Sequence, residues 1–472
     1  MIALTLAAVA EAVGGRLHRA GPAAVVDGPV VIDSRAVTPG ALFVAVLGQR
    51  VDGHDYAQAA TTAGAVAVLA ARPVDAPAVL VDDTTLALGR LAAHVRNRLP
   101  DIAVVGLTGS QGKTSTKDLL AQLLAPSGPV VAPAGSFNNE LGAPLTVLRS
   151  DETTVHLVVE MGARGPGHVR DLCTMAKPQV GIVLNVGSAH IGEFGSREVI
   201  ARAKGELVEA LPPSGVAVLN ADDPLVSAMA SRTQARVVTF GAAASADVRI
   251  EDSRLDDSGC PRFTLVTGDA RAPVAMSLLG SHQAFNAAAA AAAAVALDID
   301  LAEIAHGLGT AVPVSRWRME RHVRSDGVVI VNDAYNASPD AMRAALRTLA
   351  VLGQAPGAGR TVAVLGEMRE LGDTAREEHD AVGRLAVRLD ISQLVVVGEQ
   401  ARPLHLGACL EGSWDGESVL VADTAAAIDF LRTDLAPGDI VLIKASRAAG
   451  LERVAAALLT DDEVAAESEA RR

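Results

Sequence analysis

Aromatic side chains are scarce in this chain: seven Phe, two Trp and two Tyr among 472 residues, 2% in all. A core short of rings has to be filled by Ala, Val and Leu, which suits the packed layers of an α/β protein. Cysteine is scarcer still. Cys173, Cys260 and Cys409 are odd in number, far apart and outside any CxxC pattern. Neither a disulfide framework nor a zinc site is expected, and they read as reduced thiols of a cytosolic protein. Positive charge is in deficit: 41 Lys and Arg against 55 Asp and Glu give a net charge of −14. No basic face is visible, so no nucleic-acid partner is expected. Long apolar runs are missing too. The longest, residues 287–297, is about half of the ~20 residues a membrane-spanning helix needs, and reads as a buried helix. The N-terminus has no basic stretch followed by an apolar segment and cleavage site, so the expectation is a soluble cytoplasmic protein without membrane insertion.

What is present is half hydrophobic, 50% of the chain, and long enough for two or three domains. Three blocks differ in texture. Residues 1–99 alternate short strands (30–32, 42–46, 66–69, 78–81) with helices at 56–63 and 86–98. Residues 100–314 open with a wholly apolar strand at 102–107, a Gly-rich turn and a helix over 113–124. Further apolar strands follow at 155–160, 180–185 and 216–220. Strands buried on both faces and followed by helices indicate a parallel sheet. From 248 to 278 the pattern turns antiparallel, with turns at 256–259 and 267–269, and an Ala-rich helix covers 284–297. Residues 315–472 return to the βαβ rhythm, with strands at 328–332, 361–365, 394–397, 418–421 and 440–444 and a surface loop at 354–359. The fold class is α/β in three domains, with a central parallel-sheet domain carrying a phosphate loop and a Rossmann-like C-terminal domain.

That loop is Gly106-Leu-Thr-Gly-Ser-Gln-Gly-Lys-Thr114. Glycines let backbone N–H groups converge on a phosphate, the following helix adds its N-terminal dipole, Lys113 supplies a point charge, and the Thr114 hydroxyl suits Mg²⁺. The strict GxxxxGK[ST] pattern would want Gly at 107, where this chain has Leu; its glycines fall at 106, 109 and 112. A phosphate loop alone leaves kinases, switches, helicases and ligases open.

Three polar groups follow at or beyond the next strand ends: Glu160, His190 in Asn185-Val-Gly-Ser-Ala-His190, and Lys204 on the next helix. Ligands of open parallel sheets sit beyond the carboxyl ends of the strands, so Glu160 and His190 should face the loop. A carboxylate and an imidazole there could hold a divalent cation, with Lys204 neutralising a phosphoryl group. Structural alternatives are a helix-capping Glu160, a satisfied loop His190 and a solvated helix Lys204.

Thr108-Gly-Ser-Gln-Gly-Lys-Thr114, the Glu160 strand, Asn185 to His190, Ala203-Lys-Gly-Glu206 and Gly280-Ser-His-Gln-Ala-Phe-Asn286 occur in the order seen in Mur ligases, which this chain resembles over essentially its whole length. Asp33-Ser-Arg35, Asp52-Gly-His-Asp-Tyr56, Asn332-Asp-Ala-Tyr-Asn-Ala-Ser-Pro339 and Val364-Leu-Gly-Glu-Met-Arg-Glu-Leu-Gly372 resemble the branch that adds D-alanyl-D-alanine to UDP-N-acetylmuramoyl-tripeptide. The sister ligases tend to carry Tyr-Ala-His where this chain has Tyr335-Asn336. The resemblance implies that Thr108, Gly109, Ser110, Gln111, Gly112, Lys113 and Thr114 hold ATP, with Thr114 and Glu160 on a first Mg²⁺. It puts His190 on a second Mg²⁺, and makes Lys204 a carbamylated, anionic metal ligand, the reverse of the role read from its side chain. Asn286 would read adenine; Arg318, Asp333 and Asn336 would engage phosphate and ribose. Asn138 and Asn139 match a substrate loop, and Ser34 and Arg35 the UDP end of residues 1–99. The family usually has Gly shortly before its Arg; here the string is Ser315-Arg-Trp-Arg-Met-Glu320, so Arg316 competes with the preferred Arg318. His282 could cap its helix, and Arg447 could serve an interdomain salt bridge as well as substrate. Trp317 and Trp414 read as packing, and the charged tail as solvated.

The implied reaction is phosphorylation of the peptide carboxylate by ATP, then attack by the D-alanyl-D-alanine amine on the acyl phosphate. A monomer is expected, with the third domain withdrawn until ligands bind. Competing readings are a sister ligase extending a shorter muramoyl peptide, a folylpolyglutamate-type ligase, and a nucleotide switch that ligates nothing.

Overall fold

The computed structural model describes residues 1–48, 50–187, 191–412 and 417–460. Among these residues there are three main sheets, one in each block, and a two-stranded ribbon pairing Leu4–Thr5 with Val25–Val26. The first main sheet runs Arg16–His18, Ala78–Leu80, Ala67–Ala70, Leu42–Val44, Val30–Val31, and only its first pair is antiparallel. The middle sheet has nine strands in the order Ala270–Ala275, Pro261–Thr267, Val248–Leu255, Arg236–Gly241, Val216–Asn220, Val180–Val183, Ala103–Thr108, His156–Glu160, Val130–Val131. Its first three strands are mutually antiparallel and the rest are parallel. In the third sheet Glu320–Val323 pairs antiparallel with the edge of five parallel strands.

The sequence reading passes over Arg236–Gly241, whose Arg and Thr interrupt the apolar run that marks its neighbours. It also misses the short strands Val130–Val131 and Glu320–Val323, neither of which has a wholly buried face. Helix Thr84–Asn97 begins two residues before the expected 86, because the Asp83 carboxylate caps the N–H groups of Thr85 and Leu86.

Alanine and valine do fill the core. In helix His282–Ala296 every residue from Ala287 to Ala294 is fully buried. Side chains of one carbon let this helix lie close against Lys113–Leu124, the helix that leaves the phosphate loop. One apolar cluster runs from Leu6 and Val9 through Leu88, Leu91 and Val95 to Val147, Leu172 and Met175, so the first and middle domains share a core. Buried Arg96 fastens that joint, donating to the carbonyls of Leu99 (2.6 Å), Ala176 (3.2 Å) and Ile102 (3.5 Å). Among the described residues no helix is long and apolar enough to cross a membrane.

Candidate active site

Strand Ala103–Thr108 lies between His156–Glu160 and Val180–Val183, so its loop faces the residues that close both neighbours. Gly106 sits inside the strand, where a Cβ would come within 3.1 Å of Leu207 and Met161; it serves close packing, not the phosphate. Gly112 is the conformational one. Its φ is 77°, and a Cβ would stand 2.3 Å from Asn286 Oδ1. Ser110 N–H donates to the Asn185 carbonyl (3.1 Å) and Gln111 N–H to Asn185 Oδ1 (2.9 Å). The N–H groups of the first turn of Lys113–Leu124 therefore remain as the anion donors.

Around this turn the charged groups converge. Thr114 donates to Glu160 Oε2 (3.1 Å), Asn138 donates to Glu160 Oε1 (2.7 Å), and Arg318 Nη2 donates to Thr114 Oγ1 (3.3 Å). Lys113 folds back on the Gly109 carbonyl at 2.7 Å. Burial pushes its ammonium below the ordinary 10.5, with Glu160 opposing the shift and Arg318 adding to it. Lys204 is buried on helix Arg197–Glu209 and has no hydrogen bond or ion pair among the described residues. Burial, then the charge of Lys113, push it well below 10.5. Thr108 lies beneath the loop, donating to the Met161 carbonyl (2.8 Å).

Two cavities meet here. The larger, about 730 Å³, is lined by the loop, Asn138, Asn139, Glu160, Lys204, Arg318, Tyr335 and Asn336. The smaller, about 310 Å³, lies on the other side of the loop against Phe240, His282, Asn286, Asp333 and Lys444. Ser110, Gln111, Gly112, Ser115, Arg318 and Asn336 border both. Asp333 is anchored by Lys444 Nζ (2.6 Å) and by the Met319 N–H (3.2 Å). His282 Nδ1 is buried without a partner, and burial lowers the pKa of its ring. Asn139 also closes its own turn, accepting from Gly142 N–H (2.9 Å).

Some expected groups fall elsewhere. Arg35 is exposed and folded onto Asp33 (2.7 Å); neither it nor Ser34 lines either of these two cavities, whereas Ile32 lines the larger. Arg316 is exposed and borders neither cavity, so Arg318 is the arginine at the loop. Arg447 pairs with Glu452 (2.6 Å) and lies over Trp317. His190, Trp414 and the charged tail lie outside the described residues. The third domain lies against the loop. Besides Arg318, Asp340 accepts from the Gln111 side chain (3.0 Å), and Gly192 N–H donates to the Glu370 carbonyl (3.1 Å).

The chain matches the Mur ligase family catalytic domain over residues 29–96, the Mur ligase middle domain over 107–294 and the Mur ligase glutamate ligase domain over 317–447. It belongs to the Mur ligase family. The UDP-N-acetylmuramoyl-tripeptide--D-alanyl-D-alanine ligase of Mycobacterium tuberculosis is 49% identical, covering 98% of this chain and 99% of the relative. The crystal structure of MurF from Acinetobacter baumannii superposes with a TM-score of 0.85 at 31% identity, over 96% of this chain and 98% of that one. MurF ligase from Thermotoga maritima, in complex with ADP, gives 0.79 at 31%, over 93% and 98%.

For this Mur ligase, the sequence reading assigned no role to Asn185, which clamps the loop, or to Ser136, Tyr335 and Lys444. Asn185 carried a readable signal as the first polar residue after an apolar strand beside the loop strand. The others act across 108 to 199 residues of chain, as Gln111 does with Asp340 across 229, and leave no local pattern.

Proposed function

We propose that this Mur ligase uses ATP to join D-alanyl-D-alanine to UDP-N-acetylmuramoyl-tripeptide, releasing ADP and phosphate. The observation that carries the reading is the meeting of two cavities at one phosphate loop, with Arg318 bordering both and Lys113, Glu160 and Lys204 in the wall of the larger. The smaller cavity suits adenosine, with Asn286 at the base and Asp333 and Asn336 at the ribose. The larger suits the acceptor, with Asn138 and Asn139 near the peptide end; Ser34 and Arg35, outside its wall beyond Ile32, are assigned to the UDP end.

A peptide carboxylate oxygen attacks the γ-phosphorus, the bond to the β-bridging oxygen breaks, and ADP leaves. The dipeptide amine then attacks the acyl carbon and loses a proton, and inorganic phosphate departs. The free N–H groups of the first turn of Lys113–Leu124, the Lys113 ammonium and Arg318 offset the phosphate charge where it develops, the largest effect such a site offers.

Glu160 is 1% exposed, forms no salt bridge among the described residues, and has both oxygens oriented by Thr114 and Asn138. A hydroxyl and a buried carboxylate beside a phosphate site fit Mg²⁺, which binds through one or two carboxylates plus substrate phosphates. We assign Thr114 and Glu160 to one Mg²⁺ and His190 with Lys204 to a second. Bound ions would neutralise charge on the phosphates and the peptide carboxylate. The depressed pKa of Lys204 supports its carbamylation, because the neutral amine is the form that adds CO₂.

We propose that it acts as a monomer in the cytoplasm. Domain breaks at 99/100 and 314/315 fall between the family matches. The test is the product: with ATP, Mg²⁺ and both substrates, mass spectrometry should show the muramoyl peptide extended by the dipeptide, and Lys113→Ala should abolish it. Extension only of a shorter muramoyl peptide by a free amino acid would overturn the assignment.

A further inference from the structure

A ring of side-chain contacts surrounds the larger cavity. The Ser136 and Tyr335 hydroxyls bond to each other. The Arg318 guanidinium lies over the Tyr335 ring, 4.1 Å from its centroid, and donates to Thr114 at 3.3 Å. Thr114 donates to one Glu160 oxygen and Asn138, two residues from Ser136, to the other. The ring thus joins the 135–142 loop at the acceptor cavity, the phosphate-loop helix and the third domain.

The Arg318 segment depends on outside support. Trp317 and Met319, its two neighbours, have φ of 59° and 52°, conformations that side-chain-bearing residues hold only when surrounding contacts impose them. Those contacts are Asp333 on the Met319 N–H, Glu320 on the Trp317 N–H (3.1 Å), the Tyr335 N–H on the Trp317 carbonyl (3.3 Å), and the Tyr335 ring itself. Arg318 Nε is buried and unpartnered, a donor left for an anionic ligand.

We propose that Tyr335 is a positioning residue that couples occupancy of the acceptor cavity to nucleotide affinity: its hydroxyl reads the 135–142 loop through Ser136, while its ring seats Arg318 at the phosphates. Substrate that orders the loop holds Tyr335, and Tyr335 holds Arg318. By linkage, nucleotide must tighten acceptor binding by the same factor. The identity of the acceptor rests on the ligase reading above; the ring of contacts does not.

The experiment measures the affinity of a non-hydrolysable ATP analogue, with Mg²⁺, in the presence and absence of UDP-N-acetylmuramoyl-tripeptide. In the unmodified enzyme the peptide should tighten the analogue about tenfold, within the usual span of coupling between sites. Ser136→Ala and Tyr335→Phe should each cut that factor about threefold to tenfold, the net worth of one hydrogen bond. The double variant should lose no more than either single one, since all three cut one link. Tyr335→Leu, which also removes the ring, should weaken the analogue without peptide. A wild-type factor of one, a factor retained in both single variants, or additive losses in the double variant would overturn the proposal. Ligation by the unmodified enzyme, followed in parallel, separates the two readings: its absence counts against the ligase assignment, and its presence with uncoupled binding counts against Tyr335 alone.

Discussion

Replacing Gly112 by Ala strikes the phosphate loop through its backbone. The residue has φ 77°, and the added Cβ would stand 2.3 Å from Asn286 Oδ1, so Asn286 has to move. Holding a side-chain-bearing residue in the left-handed region costs about 1–2 kcal/mol. Displacing Asn286 also breaks its 3.0 Å hydrogen bond to Gln283, a net loss of about 1 kcal/mol. Together these come to about 2–3 kcal/mol, or about 4–12 °C in Tm for a unit of 150–250 residues. Differential scanning calorimetry reads the stability, and ADP titration should show a weakened site because Asn286 borders the adenosine cavity. Gly89→Ala is the control. It lies within helix Thr84–Asn97 with nothing within 4 Å of the added Cβ, and should stabilise by up to about 1 kcal/mol. A Gly112→Ala variant with wild-type Tm and ADP affinity would refute the reasoning.

Arg96→Met leaves three buried carbonyls without their donor and should destabilise by roughly 2–4 kcal/mol; an unmoved denaturant midpoint would remove Arg96 from the interdomain joint. Burial raises the Cys173 thiol to about 12 and buries Cys260, while Cys409 is exposed. A thiol reagent at neutral pH should count one reactive cysteine in the folded enzyme and three in denaturant, and two or more in the native state would contradict the packing. Burial holds His379 below its ordinary 6.5, and the neutral ring accepts from the Met368 N–H (2.8 Å) while bonding the Ala375 carbonyl (2.6 Å). The unfolded chain therefore binds more protons at this site, so its stability is present above about pH 6.5 and is lost as pH falls toward the folded value. Melting curves from pH 7.5 to 5.5 should be steeper for the native enzyme than for His379→Gln, and equal slopes would exclude this histidine.

The phosphate loop and its order of strand, glycines, Lys-Thr and helix are legible in the sequence because they are local, as are the apolar runs of the parallel strands. Arg236–Gly241 escapes because its partners, not its composition, make it a strand. Lys204 shows the limit of reading a side chain in isolation: a lysine on a helix suggests a solvated cation, whereas this one is buried beside Lys113 and driven toward neutrality. Gln111 with Asp340 and Ser136 with Tyr335 lie 229 and 199 residues apart, so nothing in the spacing brings them together. The first domain's wall of the cavity is displaced for a related reason. The 3₁₀ turn Ser34–Ala36 is capped by Asp33, which draws Arg35 onto itself and leaves Ile32 at the cavity.

The most direct measurement is phosphate release from ATP and Mg²⁺ with UDP-N-acetylmuramoyl-tripeptide, with and without D-alanyl-D-alanine. The account expects sustained release only when both substrates are present. Release that ignores the dipeptide, or that appears only with a shorter muramoyl peptide and a free amino acid, would contradict it.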